Sequence, residues 1–271
     1  MLDEGKIAEL QQRLERLGVT GEKAGHERHL NLKAVRQLKE GSPKATFGYH
    51  EKVALSEPEI LKIMASYTGC SADFNFQRGA GYISPAATLK GLREMAQMIK
   101  KTGAKKGRLI VATGHTGGMT GYYLSLIPLL EKYGCQVLGG LGAGTVTDSF
   151  PCPHCGQHMV DVVLDYVGKL AVLSDGEVIL HTHASRPMEI ILAECREQGL
   201  WPDLVIADHG FAGAAAKAGI LTIAVMDTND PGLALAKEEG APLILLPLDD
   251  NRPNYLSCQV VKVLEELLEM E

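Results

Sequence analysis

Residues 204–248 read LVIADHGFAGAAAKAGILTIAVMDTNDPGLALAKEEGAPLILLPL, and this stretch decides the fold. Short apolar runs alternate in it with segments of helical character. The predicted strands are Leu204–Ala207, Thr222–Met226 and Leu243–Leu248, and the predicted helices are Ala212–Ala218 and Gly232–Glu239. Strands that alternate with helices indicate a mainly parallel sheet with helices on both faces. The stretch therefore predicts a three-layer α/β fold.

The same alternation continues on both sides of this stretch. Downstream, a last helix is predicted near Tyr255–Met270. Upstream, the predicted elements are a strand over Leu109–Thr113, a helix that ends at Tyr133, a strand over Gln136–Leu138, a hairpin of Lys169–Asp175 with Glu177–His183, and a helix over Pro187–Gln198. We expect residues 105–271 to form the α/β core, with a loop that contains cysteine at 145–160.

The N-terminal part is predicted to be helical. Helices are expected over Leu2–Leu17, over Glu27–Glu40, after the cap residue Ser56, and from Ser84 to about Lys101. We expect residues 1–104 to form a helical portion packed on the core.

Composition and charge exclude several classes of protein. Of the 271 residues, 45% are hydrophobic and 22% are charged, which is typical of a folded domain. The formal net charge of −6 argues against a nucleic-acid partner, because phosphates require a basic surface. No apolar run reaches about 18 residues, and the acidic N-terminus lacks a signal-peptide core. We therefore expect a cytoplasmic protein with no membrane partner.

Polar residues follow five of the apolar segments. They are His115, the pair His181 and His183, the pair Asp208 and His209, the segment Asp227–Asp230, and the segment Asp249–Asn251. Ligands of open α/β sheets bind beyond the carboxyl ends of the strands, so these side chains are predicted to share one site. We expect convergence in particular of His115, His181, His183, Asp208 and Asp230.

The turn after Leu109–Thr113 is the candidate anion site. Its predicted phosphate-binding residues are Thr113, Gly114, Thr116, Gly117 and Gly118. Glycines let backbone N–H groups approach an anion, and a helix N-terminus adds a favourable partial charge. The alternative is a tight turn in which Thr116 caps the helix. His115 is predicted to stabilise phosphoryl charge or to protonate the leaving oxygen.

Histidine and carboxylate side chains supply candidate metal ligands. His181 and His183 leave the same face of a predicted strand, and His209 joins them as a predicted ligand. The alternative for the first two is a hydrogen-bonded pair. The further residues with a predicted catalytic role, beside His115, are Asp208, Asp227, Asn229 and Asp230, for which the alternative is helix capping. Mixed sets of this kind make a hydroxide near neutral pH, which predicts a divalent metal such as Zn, Mn or Mg.

Two of the six cysteines form a motif. Residues 152–158 read CPHCGQH, the form of a zinc knuckle, and Cys152, Cys155 and His158 are predicted ligands of a structural zinc. The fourth ligand is left to a distant side chain or to another subunit, so a homo-oligomer stays open. A redox pair and no special role are the alternatives. The HERH segment at 26–29 is one residue short of a zincin motif and is assigned to a solvated helix face.

A further pattern runs through separate segments of the chain, namely Asn31 with Arg36–Leu38 and Gly41, Ala112–His115 with Gly117 and Gly118, His181–His183, Val205–Gly210 with Ala212 and Gly213, Asn229–Pro231 and Pro247–Asp250. Together these segments resemble a bacterial phosphatase family that is abundant in actinobacterial genomes. They follow in order along most of the chain, and the resemblance implies a phosphatase-like hydrolase. Residues 151–157 depart from the family pattern, so we interpret the cysteine pair as a local staple outside the chemistry.

These observations lead to a functional hypothesis with two rivals. The hypothesis is a phosphoric monoester hydrolase that uses a metal ion and acts on a small phosphate ester. One rival is a metal-free enzyme similar to sugar-phosphate isomerases, in which Asp and His act only as acid and base. The other is a protein that binds a phosphorylated metabolite without chemistry.

Overall fold

The structure, a computed structural model, describes residues 3–270. The helices are α1 (Glu4–Arg16), α2 (Arg28–Lys39), α3 (Pro43–Thr46), α4 (Glu57–Thr68), α5 (Pro85–Ala104), α6 (Thr120–Lys132), α7 (Arg186–Glu197), α8 (His209–Lys217), α9 (Pro231–Glu238) and α10 (Asn254–Met270). The strands are β1 (Gly21–Glu22), β2 (Tyr82–Ile83), β3 (Arg108–Ala112), β4 (Gln136–Val137), β5 (Val146–Pro151), β6 (Met159–Val167), β7 (Leu170–Ser174), β8 (Ile179–Leu180), β9 (Leu204–Asp208), β10 (Thr222–Met226) and β11 (Leu243–Pro247).

The main sheet has the strand order β11-β10-β9-β3-β7-β6-β5. Strands β11, β10, β9, β3 and β7 run parallel, whereas β6 and β5 continue the sheet antiparallel. Strand β4 pairs with the beginning of β3, and β8 pairs antiparallel with the end of β7. The short strands β1 and β2 pair separately.

Alternate side chains of the strands point into two separate hydrophobic cores, one on each face of the sheet. Ile110 and Ala112 pack on one face with helices α2, α4, α7, α8 and α9. Leu109 and Val111 pack on the other face with α1, α5, α6 and α10. A sheet that is buried on both faces needs continuous apolar strands, and residues 204–248 supply them. The predicted three-layer α/β fold is confirmed. No helix of residues 3–270 is long and apolar enough to cross a membrane.

Two local expectations differ from the structure, and a third falls on a residue that it does not describe. Helix α6 begins at Thr120 with Met119 at its N-cap, so the interpretation of Thr116 as a helix cap was wrong. Strand β8 ends at Leu180, so His181 and His183 follow the strand and do not lie on it. Leu2, where the first helix was expected to begin, is outside the described residues.

The segment 145–160 contains more regular structure than the expected loop. It holds all of β5 and the beginning of β6, which form an antiparallel hairpin. Strand β5 lies at the edge of the sheet and its sequence, VTDSFP, is largely polar and exposed. The alternating apolar pattern that marks a strand is therefore weak here, because neither face of β5 is covered.

Helix α8 packs closely against the segment that follows α3, and a substitution of Gly213 tests this contact. A Cβ atom at this position would lie 2.1 Å from Phe47 O. Helical glycine to alanine normally stabilises by about 1 kcal/mol. Here we expect Gly213→Ala to lower the free energy of unfolding by about 1–3 kcal/mol through overpacking, measured by denaturant unfolding. Gly117→Ala is the control, because no atom lies within 4 Å of its added Cβ. Equal stability of the two variants would contradict this packing.

Candidate active site

The carboxyl ends of β3, β9, β10 and β11 lie at one edge of the sheet. The segment after β8 joins them, because Thr182 N donates a hydrogen bond to Gly114 O at 2.8 Å. The side chains that gather there form what we call the histidine–aspartate cluster, namely His26, His181, His183, His209, Asp227, Asp230 and Asp250. His115 borders this cluster, with its Nε2 3.5 Å from Asp250 Oδ1.

The predicted histidine ligands face one another. The Nε2 atoms of His181 and His183 are 2.9 Å apart. The rings of His183 and His209 stack with their centroids 4.2 Å apart. His183 Nδ1 donates a hydrogen bond to Lys44 O at 2.5 Å, because a carbonyl can only accept. This bond leaves Nε2 of the neutral ring as the atom with a lone pair, which suits a metal ligand.

Burial keeps two of these imidazoles neutral. Loss of solvent and the neighbouring histidine rings lower the pKa of His181 to about 3 and that of His183 to about 4. Both rings are therefore uncharged near neutral pH and offer lone pairs. Their contact fits a hydrogen bond between the rings, and it also fits two ligands of one cation.

His209 occupies a strained position at the start of α8. Its φ of 44° lies in the left-handed region, which non-glycine residues rarely adopt. The buried ring stacks on Phe47 with an interplanar angle of 11°. The space beside it is tight, since a Cβ atom at Gly210 would lie 2.4 Å from His183 O. His209 Nε2 is 3.9 Å from Asp230 Oδ1 and 3.7 Å from Asp250 Oδ2.

Two buried carboxyl groups of the cluster lack compensation for their charge. Burial raises the pKa of Asp230 to about 7, and burial together with Asp227 raises the pKa of Asp250 well above its usual range. Asp230 Oδ2 accepts a hydrogen bond from Asp227 N at 2.9 Å, while Asp230 Oδ1 is buried without a hydrogen-bond partner. Asp230 holds the N-cap position of α9, followed by Pro231, as the capping alternative predicted, but its side chain makes no capping hydrogen bond.

His26 belongs to the cluster, although no role at the site was predicted for it. Its Nδ1 donates a hydrogen bond to Asp227 Oδ2 at 2.9 Å. Burial acts to lower the pKa of His26, but the bond to Asp227 outweighs it and raises this pKa to about 9. Arg28, in the same HERH segment, is 2% exposed and donates to three backbone carbonyls. The assignment of this segment to a solvated helix face was therefore wrong for both residues.

Asp208 lies at the site, and each of its oxygens helps to hold the turn after β3. Its Oδ2 accepts a hydrogen bond from Thr113 Oγ1 at 2.5 Å, and its Oδ1 accepts one from Gly114 N at 2.6 Å. Asp208 also stands at the N-cap of α8, and its side chain makes no capping hydrogen bond there either. Asn229 contacts the cluster, with its Nδ2 3.5 Å from His26 Nε2.

The glycine-rich turn is only partly available to a ligand. The backbone N–H groups of Gly114 and His115 already donate to Asp208 and Thr113. Gly118 passes close to the segment after β11, since its Cβ would lie 2.1 Å from Asp250 O. The more accessible part consists of half-buried Thr116 and exposed Gly117.

The ligand atoms of the cluster form a continuous series. Three sets, each with ligand atoms within 4.8 Å of one another, are His181 with His183 and His209, His209 with Asp230 and Asp250, and His26 with Asp227 and Asp250. His209 and Asp250 each belong to two sets. A fourth set, Cys152 with Cys155 and His158, lies apart at the turn of the β5–β6 hairpin.

Two comparisons with known proteins bear on this site. A sequence model of a family described as Phosphatase matches residues 6–267. A relative named Phosphatase SCO2771, from Streptomyces coelicolor (strain ATCC BAA-471 / A3(2) / M145), is 32% identical over 263 residues, which are 96% of this chain and 95% of the relative. Both matches include the N-terminal helices as well as the core. The matched range of the family contains every residue of the histidine–aspartate cluster.

Proposed function

Because the chain belongs to the Phosphatase family, as its sequence resemblance predicted, we propose that it hydrolyses a small phosphate monoester with the help of a divalent metal ion. The observation that carries this proposal is the series of three overlapping ligand sets at the edge of the sheet. Imidazole nitrogens and carboxylate oxygens together are a donor set of Zn²⁺ and Mn²⁺ sites.

The residues present fit such an ion. His181, His183 and His209 would provide nitrogen ligands, and Asp230 and Asp250 would provide oxygen ligands. Asp230 Oδ1 is buried with no hydrogen-bond partner, which is costly unless a cation or a proton compensates it. A bound divalent ion supplies Lewis-acid stabilisation of phosphoryl oxygens and activates water near neutral pH.

His26 and Asp227 lie in the part of the cluster that does not contain His181 and His183. The short bond between them orients the imidazole, and Asn251 Nδ2 lies 3.1 Å from His26 Nε2. Together with Asp250 they form a further set of potential ligands, in which a second ion would take the place of the proton on His26 Nε2. Two ions would clamp the attacking and the leaving oxygens of a phosphoryl group.

The side chains around the cluster have separate tasks in this proposal. His115 Nδ1 is buried without a hydrogen-bond partner, and we assign to this ring a hydrogen bond to the phosphoryl group or to its leaving oxygen. Thr116 and Gly117 are the parts of the turn that can contact the anion. Thr113, Gly114 and Asp208 hold the turn in position, so we assign them a positioning role.

Metal removal tests the proposal. We expect chelation to lower the release of inorganic phosphate from a panel of small phosphate monoesters by about 100-fold or more, which is about 2.7 kcal/mol of activation free energy. Addition of Zn²⁺, Mn²⁺ or Mg²⁺ should restore the rate. Elemental analysis of protein purified without added metal gives an independent readout of the site.

The two rival functions give different results in the same experiment. A metal-free isomerase-like enzyme would convert a sugar phosphate without phosphate release, and chelation would not change its rate. A binding protein would retain a phosphorylated metabolite in equilibrium dialysis with no turnover under any metal. Either result would contradict a metal-assisted phosphatase.

A further inference from the structure

The turn of the β5–β6 hairpin holds a cluster of ligands that the proposed phosphatase chemistry does not use. The ligand atoms of Cys152, Cys155 and His158 lie within 4.8 Å of one another. Cys155 Sγ is 3.4 Å from His158 Nδ1. Cys155 and His158 are exposed, and Cys152 is partly exposed. The three side chains are therefore accessible to an ion from solvent.

The backbone of the turn brings these side chains together. Cys152 N donates a hydrogen bond to His158 O at 2.7 Å, which closes the end of the hairpin. Gly156 N donates to Cys152 O at 2.8 Å, and the φ of Gly156, 65°, is in the left-handed region that glycine adopts without strain. The ligand positions are set by main-chain geometry before any ion binds.

The tip of the hairpin has little other support. Val163 of β6 pairs with Ser174, the last residue of β7, so residues 159–162 pair only with β5. At the tip, Met159 remains 59% exposed and Phe150 and Val160 are only half-buried, so the tip buries little apolar surface. An isolated two-stranded hairpin is marginally stable in water. A crosslink at the turn would fix a tip that the hydrophobic core does not hold.

We propose that this turn binds a zinc ion through Cys152 Sγ, Cys155 Sγ and His158 Nδ1, and that the fourth coordination position faces solvent. Two sulfur donors and one imidazole select Zn²⁺ over Mg²⁺ or Mn²⁺, which prefer oxygen ligands. Cys70, Cys135 and Cys195 are buried and offer no comparable pair. The inference does not depend on the proposed function, because the ion stabilises the hairpin and takes no part in turnover.

Zinc analysis of single variants tests this site. We expect Cys152→Ser and Cys155→Ser each to contain about one zinc per chain less than the unmodified protein. Co²⁺ exchanged into the unmodified protein should give a thiolate-to-cobalt absorption band that both variants lack. Hydrogen exchange should become faster in residues 146–162, while turnover of phosphate ester at low temperature should stay within about twofold. Cys258→Ser is the matched control, because Cys258 is also partly exposed and its Sγ forms hydrogen bonds with its helical neighbours Tyr255 and Gln259.

Several results would overturn the proposal. An unchanged zinc content in Cys152→Ser, or a disulfide between Cys152 and Cys155 in protein kept under reductant, would exclude the zinc site. Loss of turnover in either cysteine variant, with zinc retained, would show that the cysteine pair takes part in the reaction. A dimer that dissociates on chelation and in Cys155→Ser would show that a second copy supplies the fourth ligand, in place of solvent.

Discussion

His209→Ala should lower kcat/KM for a phosphate ester by about a thousandfold, which corresponds to about 4 kcal/mol of transition-state stabilisation. The physical reason is the position of this imidazole, which belongs to two of the three overlapping ligand sets. Its removal separates the histidine ligands from the carboxylates Asp230 and Asp250. The metal content measured by elemental analysis should fall together with the rate.

The strained backbone of His209 requires a second variant. Alanine at a φ of 44° costs about 1–2 kcal/mol, whereas asparagine tolerates the left-handed region. His209→Asn should therefore keep more stability than His209→Ala and yet lose the same activity. His29→Ala is the control, since His29 is an exposed histidine that pairs with Glu27. Normal turnover in His209→Asn would show that the reaction does not take place at the histidine–aspartate cluster.

The parallel half of the fold could be predicted from the sequence because its strands are buried on both faces. Strand β10 has the predicted bounds, Thr222–Met226, and all five of its residues are buried. Such strands are continuous apolar runs, which the sequence displays directly. Strand β5 has no buried residue, so its sequence shows no apolar run. It could therefore not be predicted as a strand without knowledge of its pairing with β6.

The candidate site could be predicted only where its residues follow strands. The rule that ligands bind at the carboxyl ends of strands brought His181, His183, His209 and Asp230 together, and it also pointed to the segment that contains Asp250. His26 escaped this rule because it lies in a loop before α2 and is brought to Asp227 by tertiary packing across 201 positions. The neighbouring Gly25, whose φ is 80°, allows this loop to approach Asp227.

The contacts of Asp208 favour a positioning role. The sequence placed it among the catalytic carboxylates, but both of its oxygens accept hydrogen bonds from the turn after β3. Sequence alone could not separate a ligand from a positioning group, because an aspartate at a strand end serves either purpose.

Asp208→Ala should lower both stability and activity. It leaves the buried Gly114 N–H without an acceptor, which costs about 1–3 kcal/mol, and the Thr113 hydroxyl keeps only its longer bond to His115 O at 3.2 Å. We expect the midpoint of thermal unfolding to fall by roughly 8 °C. Since the displaced turn carries His115, kcat should fall by about 100-fold while KM changes less. Asp208→Asn keeps one acceptor oxygen for Gly114 N, so it should recover part of both losses.

Asp203→Ala is the matched control for this prediction. Asp203 also accepts a backbone hydrogen bond from β3, from Arg108 N at 2.9 Å, but at the opposite end of the strand. Its side chain is 34% exposed and pairs with Lys105, so water can replace it and the cost should stay within about 1 kcal/mol. Activity of Asp203→Ala should be normal at low temperature. If both variants lost stability equally and kept full activity, Asp208 would support only the sheet. If Asp208→Ala alone lost activity at temperatures where it is folded, the turn that Asp208 holds would be part of the site.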